Sequence, residues 1–384
     1  MSVGMTAESS LYEIVGDLVV FRSLSPVDPQ IPGYDQAWAE MGMPGPERPR
    51  KQDPAFARAL AWFLRRGRAL NGVRTQLTEL IYLGDTALAD GNAFRNVRAA
   101  GGWRGWAFIA AERDETLAVD IREGIFHANR WNALAEFAGW LLAEGAALDA
   151  RTAVIVDIDK TALGARGRND TAIDRARVAA IEATVADAVG EAFDRDTFRR
   201  AYTAIIPARY HPFTTDNQDY VAYICLMISA GFIALEELLR QVETGELASF
   251  ADFIGRVDAR QDALPDAALR ALHREIYGLV QAGDATPFKA FRRREYIETV
   301  SRMGCLPDDA PLGQRLVEEI CLTREVFDFT RWLAGRGCLL MAVSDKPDEA
   351  SLPTPELVAQ GYLPLHRTRT HVVGQPLADL LPGS

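Results

Sequence analysis

Three short runs of apolar residues, each ending in a polar or glycine-containing turn, are the clearest pattern along the chain. They are Leu80–Leu83, Ala153–Val156 and Cys338–Val343. Continuous apolar runs of this length are typical of buried parallel strands. Ligands of open α/β sheets bind at the carboxyl ends of the strands, so Asp85, Asp157 and Ser344, which follow the three runs, are predicted to face a site.

The segments between these runs show apolar residues at helical spacing. This spacing predicts helices over Pro54–Arg68, Trp131–Ala143 and Glu325–Ala334. Pro54 is expected at the first helical position, with Asp53 as the N-cap. Two weaker strands are predicted at Trp106–Ala110 and Thr370–Val373. Alternating strands and helices of this kind predict an α/β fold with a doubly wound parallel sheet.

A long segment without strand character interrupts the α/β pattern. From about residue 168 to about residue 309 the sequence predicts helices separated by prolines. A Pro-rich and Gly-rich stretch, Pro26–Arg50, is predicted to be a loop on the core. We therefore divide the chain into an amino-terminal part of the α/β core (residues 1–163), an inserted all-helical domain (164–318) and a carboxyl-terminal part of the core (319–384).

Composition and charge narrow the functional classes. The 384 residues are 48% hydrophobic and 25% charged, which is typical of a packed globular protein. The net charge of -11 opposes binding to nucleic acid or to anionic membranes. The amino terminus lacks the pattern of a signal peptide, and the longest uncharged run, Tyr220–Leu235, is short for a membrane helix. A cytoplasmic location, without a nucleic-acid or membrane partner, is therefore expected.

Lysine is scarce in this sequence. Of the 42 basic residues only four are lysine: Lys51, Lys160, Lys289 and Lys346. A site that needs a compact ammonium group does not accept arginine freely, so each lysine is a candidate for such a role.

The segment Asp157-Ile-Asp159-Lys160-Thr161 carries the strongest chemical signal. Two carboxylates two positions apart at the end of a strand can divide the work of phosphoryl transfer. One attacks phosphorus and the other acts as acid and then base, while both favour a hard cation such as Mg²⁺.

This segment resembles the first motif, DxDx[TV], of the haloacid dehalogenase-like (HAD) phosphohydrolase superfamily. Three further stretches are similar to the other motifs of that family. Leu339-Leu-Met-Ala-Val-Ser344-Asp-Lys346-Pro resembles motif two, Lys51-Gln52-Asp-Pro-Ala-Phe resembles motif three with Gln52 in place of a proline, and Gly84-Asp85-Thr-Ala-Leu-Ala-Asp90 resembles motif four. The resemblance covers the α/β core and leaves the helical insertion unmatched.

The motifs occur in the order three, four, one, two. A circular permutation with new termini between motifs two and three produces this order. In the family the motif-four strand lies beside the motif-one strand, and the segment 112–151 is long enough for the crossover between them. The resemblance also implies that Thr370–Gly374 is the family's third strand and that the insertion is a helical C1-type cap.

The resemblance implies a role for each matching residue. Asp157 is the nucleophile and a Mg²⁺ ligand, and Asp159 is the acid/base with its backbone carbonyl on the metal. Asp85 is a further ligand, and Asp90 is a ligand or a neighbour of one. Ser344 and Thr161 contact the phosphoryl group or the substrate, and Lys51 neutralises charge.

Several alternatives stay open at this stage. Lys346 competes with Lys51 as the catalytic lysine, whereas Lys160 is expected to point away from the acidic pair. Arg166 and Arg168 either bind an anionic part of the substrate or form a solvated hinge. The expected function is a Mg²⁺-dependent phosphatase acting on a small phosphorylated metabolite. The alternatives are a phosphomutase or other phosphotransferase of the family, a dehalogenase, which the second acidic residue disfavours, and a catalytically idle binding or regulatory protein. The substrate and the oligomeric state are not predicted.

Overall fold

A computed structural model describes residues 4–51, 53–113 and 116–383 of the protein; Gln52 of the motif-three segment lies outside them. Ten strands occur in the described residues. Numbered in chain order, they are β1 (Gly4–Ser9), β2 (Val19–Val20), β3 (Glu79–Gly84), β4 (Arg104–Ala110), β5 (Val119–Arg122), β6 (Ile125–Ala128), β7 (Thr152–Asp157), β8 (Leu322–Thr323), β9 (Leu339–Val343) and β10 (Thr370–Gly374).

The α-helices of the described residues are numbered in the same way. They are α1 (Tyr12–Val15), α2 (Tyr34–Ala37), α3 (Pro54–Leu70), α4 (Ala89–Gly101), α5 (Leu134–Ala143), α6 (Asp170–Val189), α7 (Arg195–Ile205), α8 (His211–Thr214), α9 (Gln218–Ser229), α10 (Leu235–Glu243), α11 (Phe250–Ala259), α12 (Ala267–Gln281), α13 (Lys289–Val300), α14 (Leu312–Glu318), α15 (Arg324–Gly335) and α16 (Pro355–Ala359).

Seven strands form one sheet in the order β2-β9-β7-β3-β4-β6-β5. All neighbouring pairs are parallel except β5 and β6, which form an antiparallel pair at one edge. The fold is thus α/β with a mostly parallel sheet, which is compatible with a Rossmann-like architecture. The three strands predicted from continuous apolar runs are β3, β7 and β9, and every residue in them is buried.

The long helix α3 shows how the sequence builds this core. It begins at Pro54, as predicted, because the ring of proline presets the backbone of a first helical turn. Its apolar face, which includes Phe56, Leu60 and Leu64, belongs to one buried cluster with Tyr82 of β3 and Met341 of β9. Burial of each such side chain contributes on the order of 2 kcal/mol. The helix is therefore held against the central strands that end at the candidate site.

The chain divides into two compact units. The first, which we call the sheet unit, comprises Met1–Arg175 and Thr299–Ser384, and the second, the helical unit, comprises Ala176–Glu298. The helical unit has its own buried apolar cluster, with residues from α6 to α13. The insertion predicted from the sequence spans 164–318; its first and last segments, 164–175 and 299–318, group with the sheet unit.

One strand assignment from the sequence is wrong. Thr370–Gly374 does form a strand, β10, but it pairs with β1 and β8 in a separate three-stranded sheet. The position beside β9 in the large sheet is taken by β2, which has only two residues. A short apolar run indicates a strand, but it does not indicate which sheet the strand joins.

Membrane insertion was not expected from the sequence. Among the described residues, no helix combines the length and the apolar character needed to cross a bilayer.

Candidate functional site

Three predicted site segments meet at one edge of the large sheet. Strand β7 lies between β9 and β3, and all three strands are parallel. Their carboxyl ends are therefore adjacent, so Asp157, the last residue of β7, lies at the same edge as Asp85 and Ser344, which follow β3 and β9. The structure brings these segments together although they are distant in sequence.

Asp85, Asp90 and Asp157 form an acidic cluster at this edge. One carboxylate oxygen from each lies within 4.8 Å of the others, and all three residues are buried. Lys51 joins two of them, because its Nζ donates to Oδ1 of Asp157 and to Oδ1 of Asp90, both at 2.9 Å. The motif-three lysine thus contacts the predicted nucleophile directly.

The loop that presents Lys51 is fixed by a local turn. The Asp53 carboxylate accepts a hydrogen bond from the backbone amide of Arg50 at 2.7 Å, and the Asp53 amide donates to the Arg50 carbonyl at 2.8 Å. Asp53 occupies the N-cap position of α3, but its side chain bonds to this turn and not to the helix. The turn thereby holds Lys51 just ahead of the helix.

Asp90 organises the loop after β3. Its Oδ2 accepts from the backbone amides of Asp85 and Thr86, at 3.1 and 2.9 Å, and its Oδ1 accepts from Lys51 and from the hydroxyl of Tyr82 at 3.1 Å. Gly84 allows this approach, since a Cβ at that position would lie 2.6 Å from the Asp90 side chain. Because both oxygens already accept two hydrogen bonds, Asp90 holds the loop and the lysine in place.

Asp159 has a different set of partners. Its Oδ2 accepts a hydrogen bond from the Ser344 hydroxyl at 3.0 Å, and its Oδ1 lies 3.8 Å from Nζ of Lys346. The Ser344 hydroxyl in turn accepts from the Lys346 backbone amide at 3.0 Å. The two rival lysines of the sequence therefore both lie at the site, and each accompanies its own carboxylate.

Arg166 contacts Asp85 through its guanidinium group. Its backbone is fixed, because the Arg166 carbonyl accepts from the amide of Glu112 at 2.8 Å and from the indole of Trp131 at 3.2 Å. Gly167, which follows, has a φ of 79°, and a Cβ there would lie 1.9 Å from the Glu112 carbonyl oxygen. The segment that places Arg166 at the acidic cluster therefore requires glycine at position 167.

Two predicted substrate-binding residues are not part of this group. Arg168 donates to Glu325 and to Glu112 at 2.8 to 2.9 Å, so its charge is already matched by two carboxylates. Thr161 is completely buried, and its hydroxyl has no hydrogen-bond partner among the described residues. Lys160 turns away from the acidic pair, as expected, and pairs with Asp174 at 2.8 Å.

Burial shapes the protonation of the acidic cluster. Loss of solvation raises the pKa of Asp157 well above its usual range, and the attraction of Lys51 offsets this only in part. Burial, together with the charge of Asp90, raises the pKa of Asp85 to about 6. Burial acts on Asp90 in the same direction, but Lys51 and the Thr86 amide outweigh it and hold the pKa of Asp90 below its usual value. The pKa of Lys51 is raised well above that of free lysine because Asp157, Tyr82 and Asp90 outweigh its burial.

The donor set of this edge fits a hard divalent cation. Four carboxylates face three cationic side chains there, so the site keeps an excess of negative charge, and carboxylate oxygens are the ligands that such cations prefer. Among the described residues, no group donates a hydrogen bond to Oδ2 of Asp157. Asp157 therefore has an oxygen that could hold a metal ion, whereas each oxygen of Asp85 accepts one hydrogen bond, from the Thr86 hydroxyl or from Arg166, and would hold the metal through its second lone pair.

Tyr82 is the site residue that the sequence analysis missed. Its hydroxyl is buried beneath the acidic cluster and donates to Asp90, and burial raises its pKa well above that of free tyrosine. One feature of the sequence could have identified it: Tyr82 is the one residue with a polar side-chain atom in the run Leu80–Leu83. A buried phenol needs a hydrogen-bond partner, and the nearby aspartates could supply one.

Comparisons of this chain with protein-family models, with curated proteins and with solved structures found no match.

Proposed function

We propose that this protein is a Mg²⁺-dependent phosphatase of the HAD-like superfamily, circularly permuted, that hydrolyses a small phosphorylated metabolite through an aspartyl-phosphate on Asp157. One observation carries the proposal: Asp157, at the end of a central strand, lies in a buried acidic cluster with Asp85 and is bonded to Lys51. These are the residues that the resemblance assigns to motifs one, four and three.

The strand order supports the permutation. The strand of motif one, β7, lies directly between the strands of motifs two and four, β9 and β3. The strand on the far side of β9 is β2, from the amino-terminal segment. The resemblance gave the position beside β9 to Thr370–Gly374, but that strand lies in the other sheet, so it is the order β9-β7-β3 that supports the permutation.

The two aspartates of motif one would perform complementary steps. The Asp157 carboxylate attacks phosphorus, the bond from phosphorus to the leaving oxygen breaks, and Asp159 in its acid form gives that oxygen a proton. Water then attacks the phosphorus of the aspartyl-phosphate, Asp159 takes the proton from the water, and phosphate and the Asp157 carboxylate are released. Ser344 holds the Asp159 side chain, which is 27% exposed and therefore within reach of a substrate.

The cationic groups would compensate the charge of the phosphoryl group. Bound Mg²⁺ would supply electrostatic stabilisation and draw the carboxylate and phosphoryl oxygens together. Lys51 keeps the Asp157 carboxylate oriented through Oδ1 and leaves Oδ2 without a described donor. Lys346 places a second ammonium group beside Asp159.

The first test is hydrolysis of p-nitrophenyl phosphate by the purified protein. We expect turnover with Mg²⁺, its loss on addition of EDTA, and its recovery when Mg²⁺ is restored in excess. As a matched control, Asp120→Asn, which removes an exposed carboxylate paired with Arg122 on β5, should leave the rate unchanged. The proposal is wrong if neither this substrate nor a panel of phosphorylated metabolites is hydrolysed with Mg²⁺.

We also expect metal affinity to depend on pH. The pKa of Asp85 is raised to about 6 and that of Asp157 is raised well above its usual range, so protons compete with the metal for these oxygens. Affinity for Mg²⁺ should therefore rise with pH. Below the pKa of Asp85, it should fall by about tenfold per pH unit for each proton that the metal must displace. Calorimetry in buffers with different ionisation enthalpies measures both the affinity and the protons released. An affinity that is constant between pH 5 and pH 8, about the range over which such groups titrate, would contradict this expectation.

A further inference from the structure

A cavity of about 490 Å³ lies at the edge of the sheet opposite the acidic cluster. It is lined by the end of α3, the loop that follows α3, and the loop between α4 and β4. Thr78 and Trp103 in its wall directly precede β3 and β4, whereas Asp85 follows the other end of β3. The cavity is therefore separate from the candidate phosphatase site.

Three arginines line this cavity, which we call the arginine pocket: Arg65, Arg68 and Arg74. None of the described residues that line it is acidic. Acidic residues outnumber basic ones in the whole chain by 53 to 42, so a cavity with this composition runs against the charge of the protein.

Arg68 is the most informative of the three arginines. It is only 6% exposed, its Nη2 donates to the Gly337 carbonyl at 3.2 Å, and its Nε has no hydrogen-bond partner. Among the described residues, no carboxylate lies within ion-pair distance of it. The carboxylate that attracts Arg68 from a distance, Asp149, is itself bonded to Arg151 at 2.8 Å. Burial lowers the pKa of Arg68, and the attraction of Cys338 and Asp149 does not offset this effect.

The other deeply buried arginines of the described chain are paired. Arg168 contacts Glu112 and Glu325, Arg292 contacts Asp219 and Glu295, and Arg315 contacts Glu319. A buried charge is costly unless an opposite charge accompanies it. Arg68 has no such partner in the described part of the chain, so the missing negative charge is expected to come from a bound ligand.

The remaining arginines are placed to assist. The Arg65 guanidinium lies 5.3 Å from the centre of the Trp103 ring and donates to the Gly101 carbonyl at 2.9 Å. Arg74 is exposed and has no ion-pair or hydrogen-bond partner among the described residues. The carboxyl ends of α3 and α4 also lie here, but a helix end carries only about half a unit of negative charge, which does not match three guanidinium groups.

We propose that the arginine pocket binds a small molecule bearing a multiply charged oxyanion, of the phosphate-ester or polycarboxylate class. Guanidinium groups bind such oxyanions through paired charge-assisted hydrogen bonds. The cavity is within the size range of metabolite sites, and the side chains of Gln76 and Thr78 add polar contacts to its wall. Arg68 forms the buried anchor of the site and Arg74 the exposed one.

The test is thermal unfolding of the full-length protein in EDTA, in a buffer free of phosphate and sulfate. Millimolar inorganic phosphate, pyrophosphate and citrate are added separately, so that the two chemical classes are compared. A ligand that binds the folded state raises the unfolding temperature, and at a fixed concentration the rise grows with the logarithm of its affinity. We expect stabilisation by at least one of these anions beyond that given by sodium chloride at equal ionic strength.

Variants assign the effect to the pocket. Arg68→Met should abolish it, and Arg74→Gln should weaken anion binding by about tenfold or more. Arg68→Met should not lower the unfolding temperature in anion-free buffer, because it replaces an unpaired buried charge with an apolar side chain. Arg74 is exposed, so Arg74→Gln keeps the test decisive if Arg68→Met fails to fold.

Two controls separate this site from others. Arg260→Gln removes an exposed arginine of the helical unit that lies 5.2 Å from the Phe232 ring centre, and it should not change the anion effect. Asp157→Asn should not change it either, because the acidic cluster lies at the other end of the strands. The proposal is overturned if no anion stabilises the protein specifically, if the Arg74 and Arg260 variants respond equally, or if only Asp157→Asn removes the effect.

Discussion

Replacing Lys51 by methionine should lower the free energy of unfolding by about 3 to 5 kcal/mol at pH 8, the cost typical of removing one partner from a buried ion pair. Lys51 bonds to both Asp157 and Asp90, so its loss leaves these two buried carboxylates without their cation, whereas Asp85 keeps Arg166. Methionine has a similar length and shape, so the change removes chiefly the charge.

The loss should shrink as the pH falls. Without Lys51, the carboxylates of the acidic cluster repel one another more strongly, and their pKa values, already raised for Asp85 and Asp157, should rise further. Between about pH 5 and pH 7, the pKa values of these carboxyls are exceeded in the unfolded state but not in the folded state, so the folded variant binds more protons. Its stability therefore decreases as the pH increases through this range. Urea unfolding of the variant and the unmodified protein, at about pH 5.5 and at about pH 8, measures the difference between their free energies of unfolding.

Lys160→Met is the matched control for this experiment. Lys160 pairs with Asp174, whose side chain is half exposed, and such a pair contributes roughly 0 to 1 kcal/mol. If Lys51→Met is no more destabilising than Lys160→Met at alkaline pH, or equally destabilising at both pH values, then the ammonium of Lys51 does not hold the acidic cluster together.

The local patterns of the sequence were sufficient for the main elements of the core. The buried strands β3, β7 and β9 and the helix α3 follow from apolar runs and from helical spacing with a proline start. Local patterns do not predict that Asp85 and Asp157 are adjacent, because their strands are far apart in the sequence. The expectation that they meet depended on the resemblance of four motifs in cyclic order, and the structure places their carboxylates together.

The predictions that failed were those that depend on residues distant in sequence. Arg168 was predicted to bind the substrate or to lie in a solvated hinge, because no local pattern indicates which acidic residues it pairs with. Its partners, Glu112 and Glu325, come from remote parts of the chain, and their convergence on Arg168 is fixed only by the fold. The same reason explains β10, whose apolar residues suit a central strand but pair with β1 and β8.

The scarcity of lysine has a clear structural counterpart at the candidate site. Lys51 and Lys346 appeared as rivals for one role, yet the structure gives them separate carboxylates, Asp157 and Asp159. This arrangement separates the charge environments of the proposed nucleophile and the proposed acid/base. We therefore expect the substitution of asparagine for aspartate to have different effects at Asp157 and at Asp159.

Asp157→Asn should abolish hydrolysis of p-nitrophenyl phosphate, with a loss of at least about a thousandfold in kcat, because an amide oxygen is a poor nucleophile. Asp159→Asn should lower kcat by about 100-fold to 10,000-fold, the range typical of a lost general acid/base. The decisive difference lies in the first turnover. The p-nitrophenolate group leaves readily without a proton, so Asp159→Asn should still form the aspartyl-phosphate and then fail to hydrolyse it.

Rapid mixing and intact mass spectrometry distinguish the two variants. Asp159→Asn should release one equivalent of p-nitrophenolate in a burst and gain the mass of one phosphoryl group, whereas Asp157→Asn should do neither. Asp120→Asn, the exposed control on β5, should behave as the unmodified protein. Circular dichroism establishes that each variant is folded. Turnover by Asp157→Asn at a rate near that of the unmodified protein would remove Asp157 as the nucleophile, and a phosphoryl group found on another residue would move the chemistry away from β7.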